Sequence, residues 1–321
     1  MPDLSPPANR ENSEPPNERV TRKRRIRLVR LLGIGLLLVV VSLFYIRHWL
    51  ERPVGTGPAG PSVSREAFDK PWTERRVLLL GVGDSITAGM GVSRKDLSYF
   101  RRLVQNPDDE FPQMKGRSLS VVLPNLESEN VALSGSNSIE HLDRIKRMPV
   151  HEPAIFGIVV MTTGGNDLIH WYGRQPAKEG AMYGASLEQA APWIVSYEER
   201  LFEMIDLLHE KFPGGCEIFL GDIYDPTDGV GDAPSVFLPK WPDALDVLAA
   251  YNDVIHRCAA QREDVHVVPI HATFLGHGSH CRQFWRSNYR PQDPHYWYYI
   301  NIEDPNDRGY DALRRIFLIE I

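Results

Sequence analysis

Five short apolar runs recur along this sequence, at residues 77–83, 130–133, 155–161, 217–220 and 265–270, and helix-patterned stretches separate them. Apolar runs of that length, without polar alternation, are the mark of strands buried on both faces. The intervening helical patterns cover 139–147, 186–212 (closed by Gly214 and Gly215), 243–262 and 308–319. Alternation of the two element types predicts an α/β domain whose parallel sheet of five strands is covered by helices on both faces. In such sheets a ligand binds beyond the carboxyl ends of the strands. The sequence of 321 residues has room for one such domain with appendages.

The appendages precede it. Residues 1–21 hold five prolines and almost no large apolar side chain, so a disordered tail is expected. Arg22, Lys23, Arg24, Arg25, Arg27 and Arg30 then lead into the charge-free run 31–46. A helix over 28–50 spans ~34 Å, enough for a hydrocarbon core if Arg30, Arg47 and His48 snorkel. Tyr45 and Trp49 fall where an interfacial aromatic belt would sit. No polar face marks the segment as a core helix, and no small-x-small site follows it, so 22–50 reads as an uncleaved signal anchor. The cationic flank places the tail in the cytoplasm and the body outside it. Residues 51–74 are rich in Gly and Pro and read as a linker; the globular domain is expected over 75–321. Residues 1–50 carry nine Lys/Arg against four Asp/Glu, which leaves the remainder at −11 and excludes a nucleic-acid platform. Three cysteines exclude a disulfide-stapled scaffold; Cys216 and Cys258 read as buried thiols and Cys281 as a more exposed one.

The residues suited to chemistry cluster at three strand ends. The first ends in Gly83-Asp84-Ser85-Ile86-Thr87-Ala88-Gly89, where a serine on a tight turn presents its hydroxyl to the crevice. A serine nucleophile needs a base beside it and donors for the developing oxyanion. Ser134-Gly135-Ser136-Asn137 offers a glycine amide, and Thr162-Thr163-Gly164-Gly165-Asn166-Asp167 an asparagine side chain. Each alone is an ordinary turn; their succession in order is far more specific.

Together these segments resemble the first three sequence blocks of the SGNH (GDSL) hydrolase superfamily. The resemblance covers about residues 75–321 and implies a three-layer α/β/α sandwich with a five-stranded parallel sheet. It also implies Ser85 as nucleophile, with its own amide, the Gly135 amide and the Asn166 side chain as the oxyanion hole. The family acts on esters and thioesters without a metal, so no cofactor is expected.

The fourth block departs from the pattern. Where the family has Asp-x-x-His-Pro, this chain has Asn301-Ile302-Glu303-Asp304-Pro305, with Asp304 at the histidine position and Asn301 at the aspartate position. An ordinary aspartate is a poor acceptor for a serine proton at neutral pH unless burial raises its pKa. Three accounts stay open. A histidine from elsewhere serves, among His271, His277, His280 and His295; His277, with a glycine on each side, ranks first, oriented by Glu303 or Asp304. Alternatively, the carboxylates act directly, or the site binds without turnover. His277, His280 and Cys281 also admit a weak metal reading. The aromatic run 295–299 reads as packing or as a pocket wall.

The expected function is a membrane-anchored serine esterase acting on a carboxylic ester, of an acetylated glycan or a lipid, outside the cytoplasm. The alternatives are an O-acyltransferase and a non-catalytic glycan-binding domain.

Overall fold

A computed structural model describes residues 16–321, which divide after Glu51 into two compact units. In the first, helix α1 (Pro16–Tyr45) runs on through a π-helical turn to Leu50. Within its segment Val20–Leu50 an 18-residue stretch reaches a mean hydropathy of 2.4, and the helix is long and apolar enough to cross a membrane. The expected tail, 1–21, falls largely outside the described residues, and the helix already includes its end.

The second unit, Arg52–Ile321, is built on five parallel strands: β1 (Arg76–Gly83), β2 (Leu126–Asn130), β3 (Ile155–Thr162), β4 (Cys216–Gly221) and β5 (Val265–Val268). Their order is β2-β1-β3-β4-β5. Short helices α2 (Ser85–Ala88), α3 (Tyr99–Val104) and α4 (Leu119–Val122) lie between β1 and β2. Helix α5 (Ser138–Arg147) precedes β3. Helices α6 (Gly165–Ile169) and α7 (Leu187–Lys211) precede β4, α8 (Ala244–Ala260) precedes β5, and α9 (Ile270–Phe274) and α10 (Asp307–Glu320) follow it.

Alternate strand residues face two separate cores, as a sheet covered on both sides requires. Leu78, Leu80, Val82, Val159, Met161, Ile218 and Leu220 pack with α5, α7 and α8. Val77, Leu79, Ile158, Val160 and Phe219 pack on the other face with α3, α4, α9 and α10. Capping fixes where the helices begin. Asn137 and Glu140 form a capping box on α5, Ser186 and Gln189 one on α7, and Asn306 accepts from Arg308 N and Gly309 N to start α10.

Two expectations are corrected. The second strand is Leu126–Asn130, earlier than the apolar run at 130–133; it is an edge strand whose polar side chains face solvent. The apolar residues still extend the pairing, Val131 N donating to Gly81 O (2.8 Å) and Leu133 N to Gly83 O (2.9 Å). The linker 51–74 is no free tether either, because Ala59, Val63 and Phe68 are buried in the second core. Ala59 N donates to Asp311 Oδ2 (2.9 Å), Arg308 Nη1 to Thr56 O (2.8 Å) and Arg315 Nη1 to Pro61 O (3.2 Å). Gly60, at φ +85°, lies where a Cβ would strike Ala312. This strap therefore closes over α10 as part of the domain.

Candidate active site

The carboxyl ends of β1, β3 and β4 open onto one cavity, lined on one side by Asp84, Ser85, Asn166 and Glu303. Gly83 ends β1 with φ +134°, close against Thr162, where no Cβ has room; this lets the chain turn straight into α2 with Ser85 as its first residue. Asp84 caps that helix, accepting from Ile86 N (3.1 Å) and from Thr162 Oγ1 (2.8 Å). Because the Thr162 hydroxyl proton is given to Asp84, Thr87 donates to Thr162 and Tyr99 to Thr87, a buried relay of hydroxyls. Burial is the main force on Asp84 and pushes its carboxyl up to about 7.

Asn166 stands at the start of α6 and donates one amide hydrogen to Ser136 O (2.8 Å), which ties the segment after β3 to the segment after β2. Gly135, at φ +82°, makes the turn before Ser136 and is solvent-exposed, outside the cavity lining. His141 locks the same two segments from behind. Its Nε2 pairs with Ser136 Oγ (2.8 Å) and its Nδ1 with Thr163 Oγ1 (2.8 Å). Ser136 Oγ donates to Leu133 O (2.6 Å), so Nε2 must carry the proton and Nδ1 accept. Burial holds this ring neutral, its pKa lowered to about 3.

Beside Ser85 lies Asp304, buried at 2% exposure. Its Oδ2 accepts from Asn301 Nδ2 (2.6 Å), and its backbone N–H donates to Asn301 Oδ1 (3.2 Å). Burial raises the Asp304 pKa above 3.8, while the Ser85 side chain and Asn301 pull it back. The other oxygen, Oδ1, is buried and holds no aligned hydrogen bond. The Ser85 side chain is the neighbour that lowers this carboxyl's pKa most, with no aligned hydrogen bond between the two. Glu303 is the third carboxyl. It accepts from the Tyr172 hydroxyl, and burial, then the charges of Asp304 and Asp84, raise it to about 7. Tyr172 and Ile302 line the cavity at φ +48° and +64°, strained for side chains of their size and held by the surrounding packing.

The histidines expected to supply the base lie elsewhere, and none lines this cavity. His277 stacks on Trp297 (centroids 3.4 Å apart) and pairs through Nδ1 with His295 O (3.1 Å); burial lowers its pKa to about 4. Its flanking glycines serve a different end. Gly276 N (2.9 Å), Gly278 N (2.7 Å) and His280 N (2.9 Å) all donate to the buried Asp228 carboxyl, around which the loop wraps. His280 pairs with Asp232 (2.7 Å), His295 with Asp293 (2.5 Å) and His271 with Ile223 O (2.9 Å). Cys281 is buried rather than exposed, and Tyr296, Trp297 and Tyr298 are core residues. Asp84, His141 and Tyr172 were not singled out from sequence. Of these only His141 left a signal, a histidine on the apolar face of an amphipathic helix.

The domain is thus a parallel α/β sandwich with Ser85 at its first strand end and the Asn166 side chain on the same cavity. The chain belongs to the GDSL-like lipase/acylhydrolase family, whose model matches residues 82–312. Similar solved structures include a member of the lipolytic G-D-S-L family from Veillonella parvula (14% identity, TM-score 0.44, covering 74% of this chain and 95% of that one). An extracellular lipase from Streptomyces rimosus gives 15%, 0.48, 75% and 98%. A mutant acetyl-xylooligosaccharide esterase from Geobacillus gives 18%, 0.47, 76% and 92%. Comparison with curated proteins finds no match.

Proposed function

We propose that the chain is a serine esterase in which Asp304, rather than a histidine, is the base. The observation that carries this reading is the order Ser85, Asp304, Asn301: a buried carboxyl beside the serine, oriented on its far oxygen by an amide. Asp304 takes the Ser85 proton as Oγ bonds to the ester carbonyl carbon. The Ser85 amide and the second amide hydrogen of Asn166 receive the oxyanion. Collapse breaks the bond to the alkoxide, which leaves with the proton from Asp304 as the alcohol. Water then gives a proton to Asp304 and attacks the acyl-enzyme; collapse returns that proton to Ser85 and frees the acid. A carboxylate suits this role because burial brings its pKa nearer to that of the proton it must hold.

The helix Val20–Leu50 anchors this unit to a membrane, with residues 22–30 on the cytoplasmic side and the esterase outside. A reporter active only outside the cytoplasm, fused after Ile321, should be active; a silent one there, with its cytoplasmic counterpart active, contradicts the orientation. For the chemistry, the purified chain should hydrolyse p-nitrophenyl esters, and Ser85→Ala should lower kcat by at least about 10³-fold. Parental turnover in Ser85→Ala would remove Ser85 from the mechanism.

A further inference from the structure

We infer that the esterase takes a medium-chain acyl group of about six carbons, an inference that rests on Ser85 being the nucleophile. The cavity beside Ser85 has a volume of about 150 Å³. That is the size of an engineered apolar cavity that stays dry and binds benzene, a six-carbon ligand. An acetyl group would leave most of it empty.

The walls are of two kinds. Asp84 and Glu303 line the cavity with Ser85, while Leu168, Tyr183, Ala233, Trp241 and Leu248, all buried, form an apolar wall. The two polar side-chain atoms in this apolar wall are already engaged: Trp241 Nε1 donates to Ala185 O (2.7 Å) and the Tyr183 hydroxyl to Pro239 O (2.7 Å). What these five residues present to the cavity is hydrocarbon and ring surface. The same two bonds pin residues 239–241 to 183–185, and the Tyr183 and Trp241 rings pack 4.9 Å apart, so the pocket exists before substrate arrives. A preformed apolar slot rewards each added methylene until it is full, and rejects what no longer fits.

The test is the p-nitrophenyl ester series from acetate to dodecanoate. Parent kcat/KM should rise roughly fourfold per methylene, the Boltzmann factor of burying one, to about 250-fold over the four methylenes from acetate to hexanoate, then fall for longer chains. Ala244→Phe, at the cavity wall on α8, should lose at least tenfold on hexanoate relative to acetate. Leu248→Ala should move the optimum to longer chains, and keeps the test open if the phenylalanine variant fails to fold. Equal kcat/KM for acetate and hexanoate in the parent, or variants that change both alike, overturns the inference. Binding to Ser85→Ala, followed by calorimetry, separates the two readings. Hexanoate bound more tightly than acetate, with no turnover in the parent, upholds the pocket and rejects the esterase; turnover without chain preference does the reverse.

Discussion

Asp304→Asn should lower kcat by about 10³–10⁴-fold, near the upper range for loss of a general base. The fold should survive it, because asparagine keeps the oxygen that accepts from Asn301 and removes only a charge that burial already disfavours. The wild-type profile follows from the sign of the Asp304 shift. Its pKa lies above 3.8, so the base is protonated and idle at low pH, and kcat/KM climbs as pH rises through the raised value. Asp304→Asn should abolish that limb along with the activity. His277→Ala should keep parental kcat on the same esters, with a lower Tm for the ring lost from its stack on Trp297. Retained activity in Asp304→Asn, with its loss in His277→Ala, would return the base to histidine.

Asn166→Ala should lower kcat by about 10²–10³-fold while KM moves little, as removal of one preorganised oxyanion donor does. The stability cost should stay near ~1 kcal/mol, that of the bond to Ser136 O, because Asn166 is only half-buried. Initial rates against substrate concentration separate the two effects. A variant whose KM rises at constant kcat would make Asn166 a ground-state binder and not an oxyanion donor.

Most of the sheet was legible because β1, β3 and β4 are buried on both faces and write that burial as unbroken apolar runs. β2 was misplaced for the converse reason: Glu127, Ser128, Glu129 and Asn130 sit on an exposed edge and carry no apolar signal. The strap misled in another way. Pro and Gly stretches read as linker, but the groups that hold this one, Asp311, Arg308 and Arg315, lie about 250 residues away in sequence. Ser85 and Asn166 were readable as strand-end residues, and the structure places both on one cavity. The base was not. Glycines beside a histidine signal a close backbone approach, and here the approach is to Asp228, something no local pattern reveals. Nor does spacing show that Asp304 is buried, the condition that raises its pKa, or that Ser85 is its neighbour.

The central claim is that Asp304 activates Ser85, and covalent capture of the serine tests it most directly. An alkyl fluorophosphonate reacts only with an activated hydroxyl, and intact mass followed by peptide mapping reports the rate and the residue. The account expects one adduct per chain on Ser85, formed at least 10²-fold more slowly in Asp304→Asn and at the parental rate in His277→Ala. Labelling of Ser85 at an undiminished rate in Asp304→Asn would contradict it.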